Sequence, residues 1–457
     1  MSWPWLVATL ALAAIPRAAW VATHGPVLPP DAFGYLNLAR EIRGLDQPSE
    51  WDDKTFLPAD NQAARTPGYP LFLNLVFAIA GHSASPPEAV DRAARQHVPP
   101  GPRHLERLTT DENVRAVQLA QAALGVLATG LAFSTLLRWT GSRSAAAIGS
   151  LVSVGWDPVW IVMFEPALLT EVLAGTLLLA AIWLLDRTRT AREEIAVSLL
   201  CGFNILVRPA MVFAAIPILA YIVWQRGVRP ARVARVLAPA ASLVALLVVF
   251  NGVRYGYWGV SSASGATMLS HATMHPEAII EPLNRIAVPL RGNVSIGLIL
   301  EYQLMYHEHV SYLEAVERVN EAAARFVVEH PLLYARSVIE ALVEFCSPTI
   351  RQFPYEINAV RNFSRWLWYA IVAAESGLVL AGAAALVVRG PAAAKVATAS
   401  FALAAIGAAL TAHTENRRFA VPLEPLLFMS GTAVIASLTR STRSTRTAPE
   451  TRARRSR

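Results

Sequence analysis

The chain has 457 residues, 54% of them hydrophobic and only 16% charged, with a mean hydropathy of +0.39. That balance excludes a set of ordinary soluble domains and points to a polytopic protein whose core is built in lipid. The net charge of +7 could indicate a nucleic-acid partner. The excess, however, sits in short connectors and in the tail RSTRSTRTAPETRARRSR, which suits the positive-inside rule better.

The N-terminal run WPWLVATLALAAIPRAAWVAT lacks the basic start and small-residue cleavage site of a removed signal peptide, so it is expected to remain as a first span over 3–23. Further spans are expected at 114–137, 144–163, 168–185, 194–207, 209–225, 233–251, 365–388, 395–413 and 419–438. The basic clusters at Arg138 to Arg143, Arg187 to Arg192, Arg226 to Arg235, Arg389 to Lys395 and from Arg440 onward place these connectors in the cytoplasm. The expectation is an all-α polytopic membrane protein of about ten transmembrane helices with both termini inside.

Residues 67–81, PGYPLFLNLVFAIAG, are too few for a span and read as an interfacial or re-entrant helix within a first outer loop, 24–113. Residues 1–251 then form an N-terminal membrane module and 252–363 a small extracytoplasmic region, whose helical periodicity breaks at Pro331. The last spans occupy 364–440, and 441–457 is expected to be a disordered basic cytoplasmic tail near anionic lipid. Pro209 in LVRPAM would end a helix and put Arg208 at a hairpin tip.

With this orientation Asp31, Arg65, Glu171, Arg208 and Arg418 all fall on the outer side. Asp31 and Tyr35, four apart, share a helical face. Asp31 can be a helix cap, a catalytic carboxylate, or both. Glu171 complements a helix dipole or serves as a functional boundary acid. Arg208 and Arg418 either snorkel to the interface or present guanidinium forks to a lipid phosphate. His307 and His309, at i and i+2, diverge on a helix and read as surface or packing residues. Cys201 and Cys346 give no disulfide framework, metal knuckle or redox motif. No Walker loop, Ser/His/Asp set or GxGxxG appears in a strand context.

A first span, then DAFGY, RTPGYPLFLNLVFAIAG, LLTE, VRPA and RRFAVPLEP, in that order, resembles the C-type membrane glycosyltransferases, the superfamily of protein O-mannosyltransferases and lipid A aminoarabinose transferases. The resemblance covers nearly the whole chain except 252–363. It implies an enzyme of the bacterial cytoplasmic membrane that moves a hexosyl or pentosyl unit from a polyprenyl-phosphate sugar to an envelope glycan, lipid or protein, outside the cytoplasm. It further implies Asp31 as general base, Arg65, Arg208 and Arg418 as contacts to the donor phosphate, and Tyr35 and Glu171 at the substrate. Two departures stand out. Gly34 replaces a basic residue some members carry, and Arg65-Thr66 replaces a Glu-Lys pair, which removes a metal ligand. No metal ligands are therefore assigned, and a divalent metal stays open as a cofactor. The competing expectation is a lipid-linked sugar flippase or other transporter, which should show inverted repeats or broken helices near the midplane; the sequence displays neither.

Overall fold

The computed structural model describes residues 3–44, 63–80, 112–225, 227–275, 296–346, 391–412 and 416–453. Every regular element among them is helical, and one isolated parallel bridge pairs Val27 with Ala167. The chain is an all-α polytopic membrane protein. Helix α1, Trp3–Thr23, is followed by α2, Pro30–Ile42, and α3, Gly68–Ile79. Next come α4, Glu112–Thr140, the short α5, Arg143–Ser150, and α6, Glu171–Leu185. Helices α7, Ala191–Val207, α8, Met211–Gln225, and α9, Pro230–Tyr255, complete the N-terminal bundle.

Of the ten expected crossings, the eighth, 365–388, lies outside the described residues, as do 45–62 and 81–111 of the first outer loop. The others each overlap a helix. Among the described residues, α1, α4, the composite segment Arg143–Phe164, α9 and a later helix, Ala392–Thr411, are long and apolar enough to cross a bilayer. Helices α6 and α8 are apolar but shorter, and α3, at 12 residues, is too short to cross, as expected of an interfacial element.

Local chemistry explains the boundaries. Thr190 and Glu193 form a reciprocal capping box at the start of α7. Arg208 leaves that helix with extended backbone, as a residue before proline prefers, and α8 begins three residues later. Gly256 ends α9 in the left-handed conformation.

The third crossing is not one helix. After α5 the backbone widens into π-helical turns at Leu151–Gly155 and Val159–Phe164, separated by Trp156, Asp157 and Pro158. This corrects the expectation of unbroken helices. Arg17 of α1 compensates the break by donating to the carbonyls of Gly155 at 2.8 Å and Val154 at 3.0 Å. Asp157 accepts from the Val159 N–H at 2.8 Å.

Outside the bundle, α10, Ala263–Thr273, α11, Ile296–His307, and α12, Tyr312–Glu329, pack together. Tyr312, Ala315, Val316, Val319, Ala322, Ala323 and Phe326 make the buried stripe of α12, a spacing of three and four residues. Ser311 caps that helix, and His330 ends it before Pro331 opens α13, Pro331–Cys346, where the sequence places the break. Residues 276–295 and 347–363 of this region lie outside the described residues. The chain returns through α14, Ala392–Thr411, α15, Asn416–Ala420, and α16, Glu424–Ala453. The helical backbone of α16 runs on to Ala453, past the apolar span and into the basic tail.

Candidate functional site

Five charged side chains from five separate segments meet at one end of the bundle. Asp31 lies in the first turn of α2 and makes no capping hydrogen bond; the helix starts instead with Pro30 after an extended Pro29. Its carboxylate turns to two guanidiniums. Arg65 Nη2 donates to Oδ1 at 2.6 Å, and Arg418 Nη1 donates to Oδ2 at 2.6 Å. Glu171 opens α6, is fully buried, and receives Arg208 Nη1 at 2.8 Å together with Nε of Arg418. Arg418 therefore bridges the two acids, as a planar fork of donors allows. Arg208 also donates to the Thr170 hydroxyl at 3.1 Å and stacks over Phe419, 4.4 Å from its ring centre.

Close approaches hold this geometry. A Cβ on Gly68 would come within 2.5 Å of the Val207 amide nitrogen and 2.6 Å of the Leu206 carbonyl, so α3 can abut the tip of α7 only with glycine there. Thr66 donates to the Val207 carbonyl at 3.3 Å across the same junction. A Cβ on Gly34 would lie 3.1 Å from Arg65 Nε. Gly34 thus leaves the space into which Arg65 folds. Tyr35 flanks Arg65, its ring 5.4 Å from the guanidinium carbon, and packs edge-on against Tyr69.

All six residues singled out from the sequence, Asp31, Tyr35, Arg65, Glu171, Arg208 and Arg418, are brought together. The functions assigned to them remain expectations. Burial alone would raise the Asp31 carboxyl, but the charges and hydrogen bonds of Arg65 and Arg418 outweigh it and hold the group well below the ordinary carboxylate range. Asp31 is therefore ionised throughout the neutral range.

The donor set does not fit a divalent cation. Each carboxylate already contacts two guanidiniums, so a metal would sit among three positive charges. Among the described residues, no group of three or more His, Cys, Asp or Glu side chains could hold one. His309 is an exposed residue just past α11 with φ 54°.

One ionic feature carried no expectation from sequence. Arg17 and Glu165 form a pair at 2.6 Å with side-chain exposures of 2% and 3%. Gln121 of α4 donates to the carbonyls of Glu165 at 2.9 Å and Ala167 at 2.7 Å, and accepts from the Tyr69 hydroxyl at 2.9 Å. The loop that delivers Glu171 is thereby tied to α1, α3 and α4. An arginine inside an apolar run, PRAAW, was the available signal.

The family described as dolichyl-phosphate-mannose-protein mannosyltransferase matches residues 99–253, which is 155 of the 457 residues and includes Glu171 and Arg208. No curated protein matches the sequence. Among solved structures, ArnT from Cupriavidus metallidurans bound to undecaprenyl phosphate is 14% identical, with 96% of this chain and 79% of that one covered and a TM-score of 0.36. The oligosaccharyltransferase AglB from Archaeoglobus fulgidus, in complex with an inhibitory peptide and a dolichol-phosphate, is 13% identical with a TM-score of 0.45. There 97% of this chain is covered but only 52% of that one. Likenesses so distant leave the functional reading to the motifs, the family match and the geometry. The family match supports the resemblance to the C-type membrane glycosyltransferases.

Proposed function

We infer, from a chain that resembles the C-type membrane glycosyltransferases, that the Asp31–Arg418–Glu171 cluster is the active site of an enzyme transferring a sugar from a polyprenyl-phosphate donor. The acceptor hydroxyl oxygen attacks the anomeric carbon while its proton passes to the Asp31 carboxylate. The bond between that carbon and the phosphate oxygen breaks, its electron pair stays on the phosphate, and the configuration inverts. The acceptor is an envelope glycan, lipid or protein on the extracytoplasmic face.

The observation that carries this reading is the charge count of the cluster. Among the described residues, three guanidiniums face two carboxylates, an excess of one positive charge. A donor phosphodiester is a monoanion and balances it. On transfer the phosphate becomes a dianionic monoester as Asp31 takes up the acceptor's proton, and the excess rises to two in step. The site stays neutral before and after the reaction, which favours charge separation in a buried place.

Both Asp31 oxygens are engaged by arginines, which makes it a poor base as it stands. Arrival of the donor phosphate gives Arg65 and Arg418 a competing anion, and an arginine that turns to it returns basicity to Asp31. Glu171, fully buried, keeps Arg208 and Arg418 from dispersing.

The test is transfer from a labelled polyprenyl-phosphate sugar to an extracted envelope acceptor by purified protein in bilayers. Asp31→Asn should abolish transfer while polyprenyl phosphate still binds. Full transfer by a folded Asp31→Asn protein would remove Asp31 from the base role. The broken third crossing favours a second reading, a lipid-linked sugar flippase. Two of its freed carbonyls are satisfied by Arg17, which counts against it. A vesicle assay that shows translocation without transfer would select it.

A further inference from the structure

Arg65 belongs to a segment whose two sides are held by different parts of the molecule. On its C-terminal side Thr66 and Gly68 lock onto the α7 tip. On its N-terminal side, among the described residues, the backbone is held by the outer region. The Ser262 N–H donates to the Ala63 carbonyl at 3.1 Å, and the Ser261 hydroxyl donates to the Ala64 carbonyl at 2.8 Å. Ala63 is fully buried against Tyr312 and Val316, with Tyr255, Tyr257 and Met305 around them.

The gripping residues are themselves fixed. The Ser262 and Tyr312 hydroxyls hydrogen-bond to each other, and the Tyr257 hydroxyl donates to the Ser261 carbonyl at 3.0 Å. Asn251, near the end of α9, donates to the carbonyls of Gly259 at 2.8 Å and Val260 at 3.2 Å. A separate tie joins Arg254 to Glu41, near the end of α2, at 2.8 Å. The outer region thus grips both the helix that carries Asp31 and the segment that carries Arg65.

We propose that Ser261, Ser262 and Tyr312 are positioning residues for the transfer reaction: by holding the backbone of Ala63 and Ala64, the outer region sets the reach of Arg65 to Asp31. This rests on the active-site reading above. It gives the outer region, where the family resemblance is faint, a direct mechanical line to the Asp31–Arg65 pair.

The test compares Ser261→Ala and Tyr312→Phe, each removing a single hydroxyl, in the wild-type and Arg65→Ala backgrounds. In the wild-type background each should slow transfer by about three- to tenfold, the effect of one lost hydrogen bond. In the Arg65→Ala background each should add less than about twofold, because the residue it positions is already gone. Equal losses in both backgrounds, or no loss in the first, would overturn the proposal. A second readout needs no activity: phenylglyoxal modification followed by mass spectrometry should become faster at Arg65 in the two variants and stay constant at Arg208. An inactive wild-type protein whose variants still release Arg65 would defeat the active-site reading and leave the latch standing. Unchanged Arg65 reactivity in an active protein would defeat the latch alone.

Discussion

Arg418 is the residue whose removal should be felt most widely, because among the described residues it alone touches both acids. Arg418→Ala strips Asp31 of one partner at 2.6 Å and Glu171 of another, and the side chains concerned are 24% and 0% exposed. Orphaning a buried charge completely costs about 3–5 kcal/mol. Here Asp31 keeps Arg65 and Glu171 keeps Arg208, so the loss should be smaller, about 2–3 kcal/mol. The catalytic loss should be larger in proportion. Removing a group that stabilises the departing phosphate slows turnover by roughly 10²- to 10³-fold. Arg418→Lys should fall between the two proteins, since an ammonium supplies charge but cannot bridge two carboxylates as a fork does. The assay is transfer from a labelled polyprenyl-phosphate sugar, with thermal unfolding in the same detergent as control. An Arg418→Ala protein that unfolds earlier yet turns over like wild type would refute the reasoning, since the arginine would then be structural only.

Moving the charge to position 34 tests the Gly34–Arg65 arrangement: Arg65→Ala should slow transfer measurably without abolishing it, and Gly34→Arg added to it should restore part of the loss. Arg17→Ala leaves Glu165 buried without its partner and frees two carbonyls of the broken crossing, so a stability loss of about 3–5 kcal/mol is expected in denaturation. Glu301 of α11 is buried with no partner for Oε1, and burial pushes its carboxyl up to about 8. The folded state then holds a proton that the unfolded chain releases near its ordinary value of 4.5, so stability should decline as pH rises from about 4.5 to about 8. Glu301→Gln should flatten that part of the stability curve, and an unchanged slope would mean that Glu301 does not contribute. Because Asp31 is held well below the ordinary carboxylate range, the acidic limb of kcat/KM should lie below that range in the wild type, and should move up in Arg65→Ala.

The polar cluster was legible in the sequence because charge placement and motif order act together. Basic connectors assign a side to each span, and that puts five residues, separated by as many as 387 positions, at one end of the bundle. Spacing could not decide between a helix cap and a catalytic carboxylate for Asp31, since both place an acid in a first turn. Its contacts with arginines that arrive from remote segments have no local signature. The broken third crossing was hidden because hydropathy stays high through its π-helical turns, and only Asp157-Pro158 interrupts the pattern. Arg17 passed unnoticed because a lone arginine in an apolar run reads as a snorkelling side chain until its partner, 148 residues away, is seen. The outer latch was equally invisible: Ser261 and Ser262 look like turn residues, and nothing local links them to Ala63.

The central claim is that the three arginines gather to receive a lipid phosphate beside Asp31. A structure determined in lipid with polyprenyl phosphate bound tests it most directly. A phosphate is expected within hydrogen-bond distance of Arg65 and Arg418, with at least one Asp31 oxygen released from its guanidinium. A phosphate bound at the other end of the bundle, with all the Asp31 and Glu171 contacts intact, would contradict it.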